Sequence, residues 1–255
     1  MGRMIGSSSI SFDKPPFIIE GASIVGRKEG DGPLGKLFDV VEQDPMLGQE
    51  TWEEAESLLQ KEAIQKLLFK AGMSKEEIRY IFGGDLLGQL IATTFGILEF
   101  EVPFFGLYGA CSTMGEALSL GAVMVEAGNA DNVIAMASSH FASAERQFRF
   151  PLAYGNQRPY AATWTVTGCG AVIISTKKGF AKITGITTGK IVDFGVKDAQ
   201  NMGACMAPAA SDTIYQNLED FGRKPEDYDR IITGDLGEVG KEILIDLLKE
   251  KGYDV

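Results

Sequence analysis

The chain has 255 residues, of which 24 are Lys or Arg and 35 Asp or Glu, for a formal net charge of −11; hydrophobic residues make up 45% and charged ones 23%. That globular composition excludes disorder for the bulk of the chain and allows one large domain or two smaller ones. An acidic balance without a Lys/Arg run argues against nucleic-acid binding and against docking to anionic lipid through a basic face.

From the N-terminus, Met1–Ser11 is Gly/Ser-rich without an apolar h-region, and no run of 18 apolar residues follows anywhere. The sequence therefore reads as a chain of the reducing cytoplasm with no transmembrane segment, any membrane association coming through a partner. Phe17–Val25 is a β-rich run, followed by a loop carrying Gly26, Gly30, Gly32, Pro33 and Gly35. Thr51 and Glu54 form a capping box that opens a helix with Leu58, Leu59, Ala63, Leu67 and Leu68 at helical spacing, and Gly72 stops it. Ser74 and Glu77 repeat the capping box on a short turn. Arg79–Phe82 predicts a strand ending at Gly83-Gly84-Asp85, then a helix from Leu86 to about Leu98 and a strand over Val102–Tyr108. Ser112–Gly128 predicts a helix apolar almost all round, hence buried. Asn132–Ala137, Trp164–Thr176 and Ala181–Thr188 predict further strands. Alternation of this kind implies an α/β fold with a largely parallel, fully covered sheet.

Sliding the chain on itself by 150 residues aligns eight identical pairs within 23 positions, among them Ile64/Ile214, Leu68/Leu218, Gly72/Gly222, Glu76/Glu226, Gly84/Gly234 and Asp85/Asp235. Both copies read helix, Gly, acidic turn, strand, Gly-Asp-Leu, the pattern of a duplicated α/β unit. Gly84-Asp85 and Gly234-Asp235 are then expected to end equivalent strands. The first copy continues for about 90 residues past Asp85, whereas 20 residues follow Asp235, so the second half reads as truncated and the chain as a fragment. The division expected is a first half over 1–176 and a partial second half over 177–255.

Three widely spaced cysteines (Cys111, Cys169, Cys205) and a single histidine, His140, build neither a disulfide framework nor a Cys-x-x-Cys zinc site, and no metal centre or cofactor is expected. Cys111 lies in Gly106-Leu-Tyr-Gly-Ala-Cys-Ser-Thr-Met114, where a strand runs through a tight turn into a helix. Amides and the helix dipole at such a terminus favour a thiolate, and backbone N–H groups there can form an oxyanion hole. The alternative is a small buried hydrophobe at a helix start.

Ala110-Cys111-Ser112, the Gly/Ala-rich helix after it, Val133–Ser139 and Thr167-Gly-Cys-Gly-Ala-Val-Ile-Ile174 resemble the thiolase and ketoacyl-synthase superfamily in order and spacing. The resemblance implies a thiolase-like fold of two duplicated α/β halves in α-β-α-β-α layers, with Cys111 at the nucleophile position. It also implies a homodimer formed across a strand of the first copy. Members that catalyse condensation take a His/His or His/Asn pair from the second copy, and His140 matches neither position. The family's acidic loop residue is also missing from Thr167-Gly-Cys-Gly-Ala171. The resemblance therefore implies no enzymatic activity by this chain alone.

A more specific likeness lies in Gln157-Arg-Pro-Tyr-Ala-Ala-Thr-Trp164 with Arg149-Phe-Pro and Tyr154-Gly upstream, in Gly6-Ser-Ser-Ser-Ile-Ser-Phe12, and in Gly109-Ala-Cys-Ser-Thr-Met114. These stretches resemble the stage V sporulation protein AD family. That resemblance implies a non-catalytic protein that binds dipicolinic acid, with or without Ca²⁺. Such a protein works with membrane proteins of the same sporulation complex and sits on the spore inner membrane without spanning it. The alternatives are an acyltransferase using Cys111 and a structural subunit with a relic fold.

A flat aromatic dianion needs donors for two carboxylates and an apolar slot for its ring. The residues expected to provide them are Cys111, Ser112 and Thr113 at the helix start, His140 at a strand end, and Arg146, Arg149 and Arg158 in a loop over the pocket. Each has a plainer alternative: a hydrogen-bonded strand-end His140, and arginines at the surface or a dimer interface. Trp164 is expected in the core, and Asp85 and Asp235 in turn and cap roles rather than as Ca²⁺ ligands. Asp193 and Asp198 are near the start of the second copy.

Overall fold

A computed structural model describes residues 2–149, 151–152 and 158–255. Met1, Phe150 and residues 153–157, with Tyr154, Gly155 and Gln157 of the motif above, lie outside the described residues. In chain order the strands are β1 (Arg3–Ile5), β2 (Ser9–Ser11), β3 (Phe17–Gly26), β4 (Val40–Glu42), β5 (Tyr80–Asp85), β6 (Phe104–Gly106), β7 (Asn132–Ser139), β8 (Gly168–Ser175), β9 (Ala181–Lys182) and β10 (Gly185–Thr187). The α-helices are α1 (Arg27–Gly30), α2 (Trp52–Ala71), α3 (Ile91–Ile97), α4 (Thr113–Glu126), α5 (Phe141–Glu145), α6 (Met202–Phe221) and α7 (Gly237–Glu250).

Two compact units divide the chain elsewhere than at 176/177. The first holds Lys14–Gln147 and Thr165–Thr184; the second holds Gly2–Asp13, Phe148–Trp164 and Gly185–Val255. The N-terminal strands thus belong with the second unit, because β2 pairs with both β1 and β10.

In the first unit the sheet runs β4-β3-β8-β7-β5-β6, with β9 also on β3. It is mixed rather than largely parallel. β5 is parallel to β6 and β7, and β3 to β4, but β8 is antiparallel to both of its neighbours, β3 and β7. A fully buried strand such as β8 reads as a continuous apolar run whichever way it points, so its direction is not encoded in that pattern.

Successive residues of these strands face opposite ways. Ile81, Ile134, Met136 and Ile173 pack with Leu59, Ile64 and Leu67 of α2, while Phe82, Val133, Ala135 and Ile174 pack with Ala117 and Val125 of α4. The unit is therefore a helix–sheet–helix sandwich. The Thr51 capping box is formed, Glu54 N donating to Thr51 Oγ1 at 3.2 Å and Thr51 N to Glu54 Oε2 at 3.0 Å. At the other end of α2, Gly72 takes φ 62°, the left-handed cap that glycine tolerates.

Two helices depart from expectation. α3 begins at Ile91 instead of Leu86, because the buried Asp85 carboxylate accepts from Leu90 N, Thr93 N and Thr93 Oγ1, and Gln89 and Leu90 take positive φ. α4 is buried on one side only, with Leu120 exposed.

In the second unit, α6 and α7 pack through Ala207, Leu236, Leu244 and Leu248. Gly203 and Gly240 meet backbone to backbone: a Cβ on Gly240 would lie 2.7 Å from Gly203 Cα, so only glycine fits there. The 150-residue repeat persists in the backbone. α2 and α6 begin at 52 and 202 and end at 71 and 221; the short 3₁₀ turns fall at Lys75–Glu77 and Pro225–Asp227. The strand does not repeat. Residues 230–235 form no strand, and Ile232 is 84% exposed, so Gly234-Asp235 does not occupy a strand end equivalent to that of Gly84-Asp85. Asp235 keeps the turn role, its Oδ1 accepting from Gly237 N at 2.9 Å.

Candidate functional site

Cys111 sits in a 3₁₀ turn, Ala110–Ser112, immediately before α4. The turn is bent by Ala110, whose φ of 48° lies in the left-handed region and costs about 1 kcal/mol for a residue with a Cβ. Ser112 holds the bend: its N donates to Gly109 O at 2.9 Å, and its hydroxyl lies 2.8 Å from the same oxygen and 2.5 Å from Glu116 Oε1. With its hydroxyl so engaged, Ser112 does not cap α4 by its side chain. Thr113 is buried with its Oγ1 unpartnered.

The exposed Cys111 thiol opens onto a cavity of about 330 Å³. This is within the about 300–1,000 Å³ of small-molecule sites. The cavity lies at the C-terminal ends of β3 and β7 and the start of β8, where open α/β sheets place ligands. Val25, Phe38, Leu86, Met114 and Val166 give it an apolar lining; Ser23, Ser138 and Ser139 add hydroxyls, and Cys169 a second thiol. Among the described residues, no charged side chain lines it. Cys169 is buried, which pushes its thiol pKa upward. A larger cavity of about 530 Å³, at the other end of β5 and β7, is lined by Glu76, Glu77 and Asp131 against a single arginine, Arg79, a balance unfavourable to an anion.

Of the other anticipated ligand residues in this unit, Ser112, Thr113, His140 and Arg146 are not among those lining the cavity. His140 is 2% exposed, stacks 5.4 Å from Trp52, and uses both ring nitrogens: Nε2 is 2.7 Å from Pro45 O, and Nδ1 accepts from Ala142 N at 3.2 Å, capping α5. Burial lowers its pKa, keeping the ring neutral. These contacts are those of the hydrogen-bonded strand-end residue, the plainer of the two readings of His140. Arg146 pairs with Glu53. In the second unit the buried Arg149 donates to Gln200, and Arg158 donates to Thr163 O with its guanidinium 4.1 Å over Trp164. Trp164 is half-buried, not core, because its ring is a platform for that cation. Asp193 and Asp198 hold local turns through Gly195 N and Gln200 N.

A buried polar cluster behind the cavity went unnoticed in the sequence. Ser138, on the cavity wall, has its Oγ 2.8 Å from Glu56 Oε1 and accepts from Gln60 Nε2 at 2.7 Å. Ser143 donates to Glu56 Oε2 at 2.7 Å, and Gln60 Nε2 also reaches Thr93 Oγ1 at 3.2 Å. Burial raises the Glu56 pKa to about 7; the two serine hydroxyls pull it down, and the Asp85 charge adds to the rise. The signal was present: Glu56 and Gln60, four apart, interrupt the apolar stripe of α2 on its buried face.

A strand-to-helix cysteine over a cavity at the sheet's strand ends defines a thiolase-like protein, and comparison with solved structures bears out the fold. A 3-oxoacyl-[acyl-carrier-protein] synthase III from Aquifex aeolicus VF5 superposes with a TM-score of 0.58 at 17% identity, over 92% of this chain and 80% of that one. The priming β-ketosynthase of the R1128 polyketide pathway gives 0.60 at 15% identity, over 98% and 81%. The family model for stage V sporulation protein AD (SpoVAD) matches residues 6–255. Stage V sporulation protein AD of Bacillus subtilis (strain 168) is 43% identical over 253 residues, 99% of this chain and 75% of that protein. The chain belongs to the stage V sporulation protein AD family, a family of sporulation proteins on a ketosynthase-like fold. Among the described residues, no helix is long and apolar enough to cross a membrane.

Proposed function

We propose that the Cys111 cavity binds dipicolinate without turning it over, and that the protein hands it to membrane partners during uptake into the developing spore, resting peripherally on the inner membrane. The observation that carries this reading is the cavity's chemistry: an apolar slot with hydroxyl donors and, among the described residues, no charged side chain in its lining. The chain's one histidine is neutral, buried and committed to Pro45 and Ala142. An uncharged wall opposes a bare dianion, so the preferred ligand is the neutral one-to-one Ca²⁺ complex. Homodimerisation is supported by β6 at the sheet edge and by exposed Ile91, Phe95, Leu98 and Phe105.

Calorimetric titration with dipicolinate, with and without Ca²⁺, tests this, paired with mass spectrometry of Cys111 after acyl-CoA exposure. Binding should be tighter with Ca²⁺ and change by no more than a few-fold in Cys111→Ala. A second reading, acyl transfer through Cys111, draws on the strained Ala110 turn that presents the thiol. Robust acyl transfer lost in Cys111→Ala would establish it and displace the binding role.

A further inference from the structure

The cavity's wall is backed by a carboxyl that has no place in a passive binding slot. Glu56 is 1% exposed and makes no ion pair among those of the described residues; its two oxygens face the hydroxyls of Ser138 and Ser143. Ser138 is the one member of this cluster that also lines the cavity. Its hydroxyl has one proton and two lone pairs, and Gln60 Nε2 occupies one lone pair by donating at 2.7 Å. What the hydroxyl can show the cavity therefore depends on what Glu56 needs.

An ionised Glu56 only accepts, so it takes the Ser138 hydrogen and leaves the cavity facing oxygen lone pairs. A protonated Glu56 can donate its own O–H to Ser138 Oγ, while Ser143 continues to donate to the other carboxyl oxygen. Ser138 then accepts from both Glu56 and Gln60, and its hydrogen is released toward the cavity. We infer that Glu56 and Ser138 form a proton-dependent donor switch: proton uptake by Glu56 turns the Ser138 hydroxyl toward a bound carboxylate, coupling carboxylate binding to protonation. The inference rests on the reading of this cavity as a carboxylate site.

The surroundings favour such a switch near neutrality. Among elements packed on α2, β5 brings Asp85, whose charge opposes ionisation of Glu56, and β8 brings Cys169, kept neutral by burial. β3 brings Glu20, paired with Lys70 at 3.3 Å, and α5 brings Glu145, which accepts from Thr165 N. α3 and β7 carry no ionisable residue, and on α2 itself Glu53 is paired with Arg146. None of these is a cation directed at Glu56 that would hold it ionised.

The test is dipicolinate titration, with and without Ca²⁺, at pH 6, 7 and 8. It is run in buffers of different ionisation enthalpy, on the full chain and on Glu56→Gln and Ser138→Ala. Dipicolinate stays fully ionised over this range, as ordinary carboxylates do. The unmodified protein should take up a fraction of a proton per ligand at pH 7 and bind about tenfold more weakly at pH 8 than at pH 6. Glu56→Gln, whose amide can donate to Ser138 permanently, should bind at pH 8 as the unmodified protein does at pH 6, without proton uptake. Ser138→Ala should bind weakly at every pH, with a flat profile. Tight binding without proton uptake, or uptake that survives in Glu56→Gln, overturns the switch and leaves the site reading intact. No binding at any pH by folded protein overturns both. Should Glu56→Gln not fold, proton uptake by the unmodified protein decides alone.

Discussion

The chain contains the same local sequence twice, and the two copies have different fates. Helix, left-handed glycine cap and 3₁₀ turn recur 150 residues apart, down to cap φ values of 62° at Gly72 and 61° at Gly222. The strand that should follow is formed in one copy only. Tyr80–Asp85 lies between β6 and β7 with its Ile81 and Phe82 buried, whereas residues 230–235 pair with no strand among the described residues and leave Ile232 exposed. Helices and caps satisfy their backbone groups within a few residues of sequence; a strand needs neighbours, so its propensity is realised only in context. The polar content differs as well. At the positions of Glu56 and Gln60, the second copy has Met206 and Ala210, packed into an ordinary apolar cluster. The polar pair that reaches Ser138 and Ser143 from α2 therefore has no counterpart on α6.

The largest expected effect tests whether the copies differ in how firmly they are held. Ile64 is wholly buried in the first unit's core, while its counterpart Ile214 is half-buried. Ile64→Ala should lower the protection of α2 amides against hydrogen exchange by about 2–5 kcal/mol, and Ile214→Ala that of α6 amides by only about 1–2 kcal/mol. Equal losses would mean that the second copy is as tightly packed as the first, and the contrast drawn here would collapse.

A second, pH-dependent effect belongs to the first copy alone. The Glu56 carboxyl sits at about 7 in the fold against an ordinary 4.5. Below pH 4.5 it is neutral, folded or unfolded, and imposes no electrostatic penalty. Between 4.5 and 7 the folded state keeps a proton the unfolded chain releases, so stability falls as pH rises; above 7 the loss is complete, at about 3 kcal/mol. Glu56→Gln should therefore gain stability relative to the unmodified protein across that window, read as α2 exchange protection at pH 4 and pH 8. Met206→Gln in the second copy should show no such pH dependence.

How much of this was legible in advance divides along the same line. The capping boxes at Thr51 and Ser74, the stop at Gly72 and the placing of Cys111 before a helix were read directly, because each is set by residues within a turn of one another. What depended on distant partners was not. The antiparallel course of β8, the late start of α3 behind the Asp85 carboxylate, and the open side of α4 each involve contacts far along the chain or layers that periodicity does not encode. The site shows the same pattern. His140 looked available as a strand-end residue, but Pro45, 95 residues away, takes its Nε2. Glu56 was passed over although an acid in an apolar stripe is itself a signal, since its partners Ser138 and Ser143 lie 82 and 87 residues on.

The smallest effect is the one on which the copies should agree. Gly72 and Gly222 share not only φ but surroundings: a Cβ added at either meets nothing within 4 Å. Alanine at either position therefore creates no clash, and its whole cost is the left-handed backbone, about 1 kcal/mol. Because that cost is local, it should not depend on whether the following strand is formed. Exchange protection of the last turn of α2 in Gly72→Ala, and of α6 in Gly222→Ala, should fall by the same amount to within a few tenths of a kcal/mol. A Gly222→Ala loss well below that of Gly72→Ala would show that the α6 cap frays without a sheet behind it. The duplicated turn would then be a consequence of the strand that follows it rather than an independent local structure.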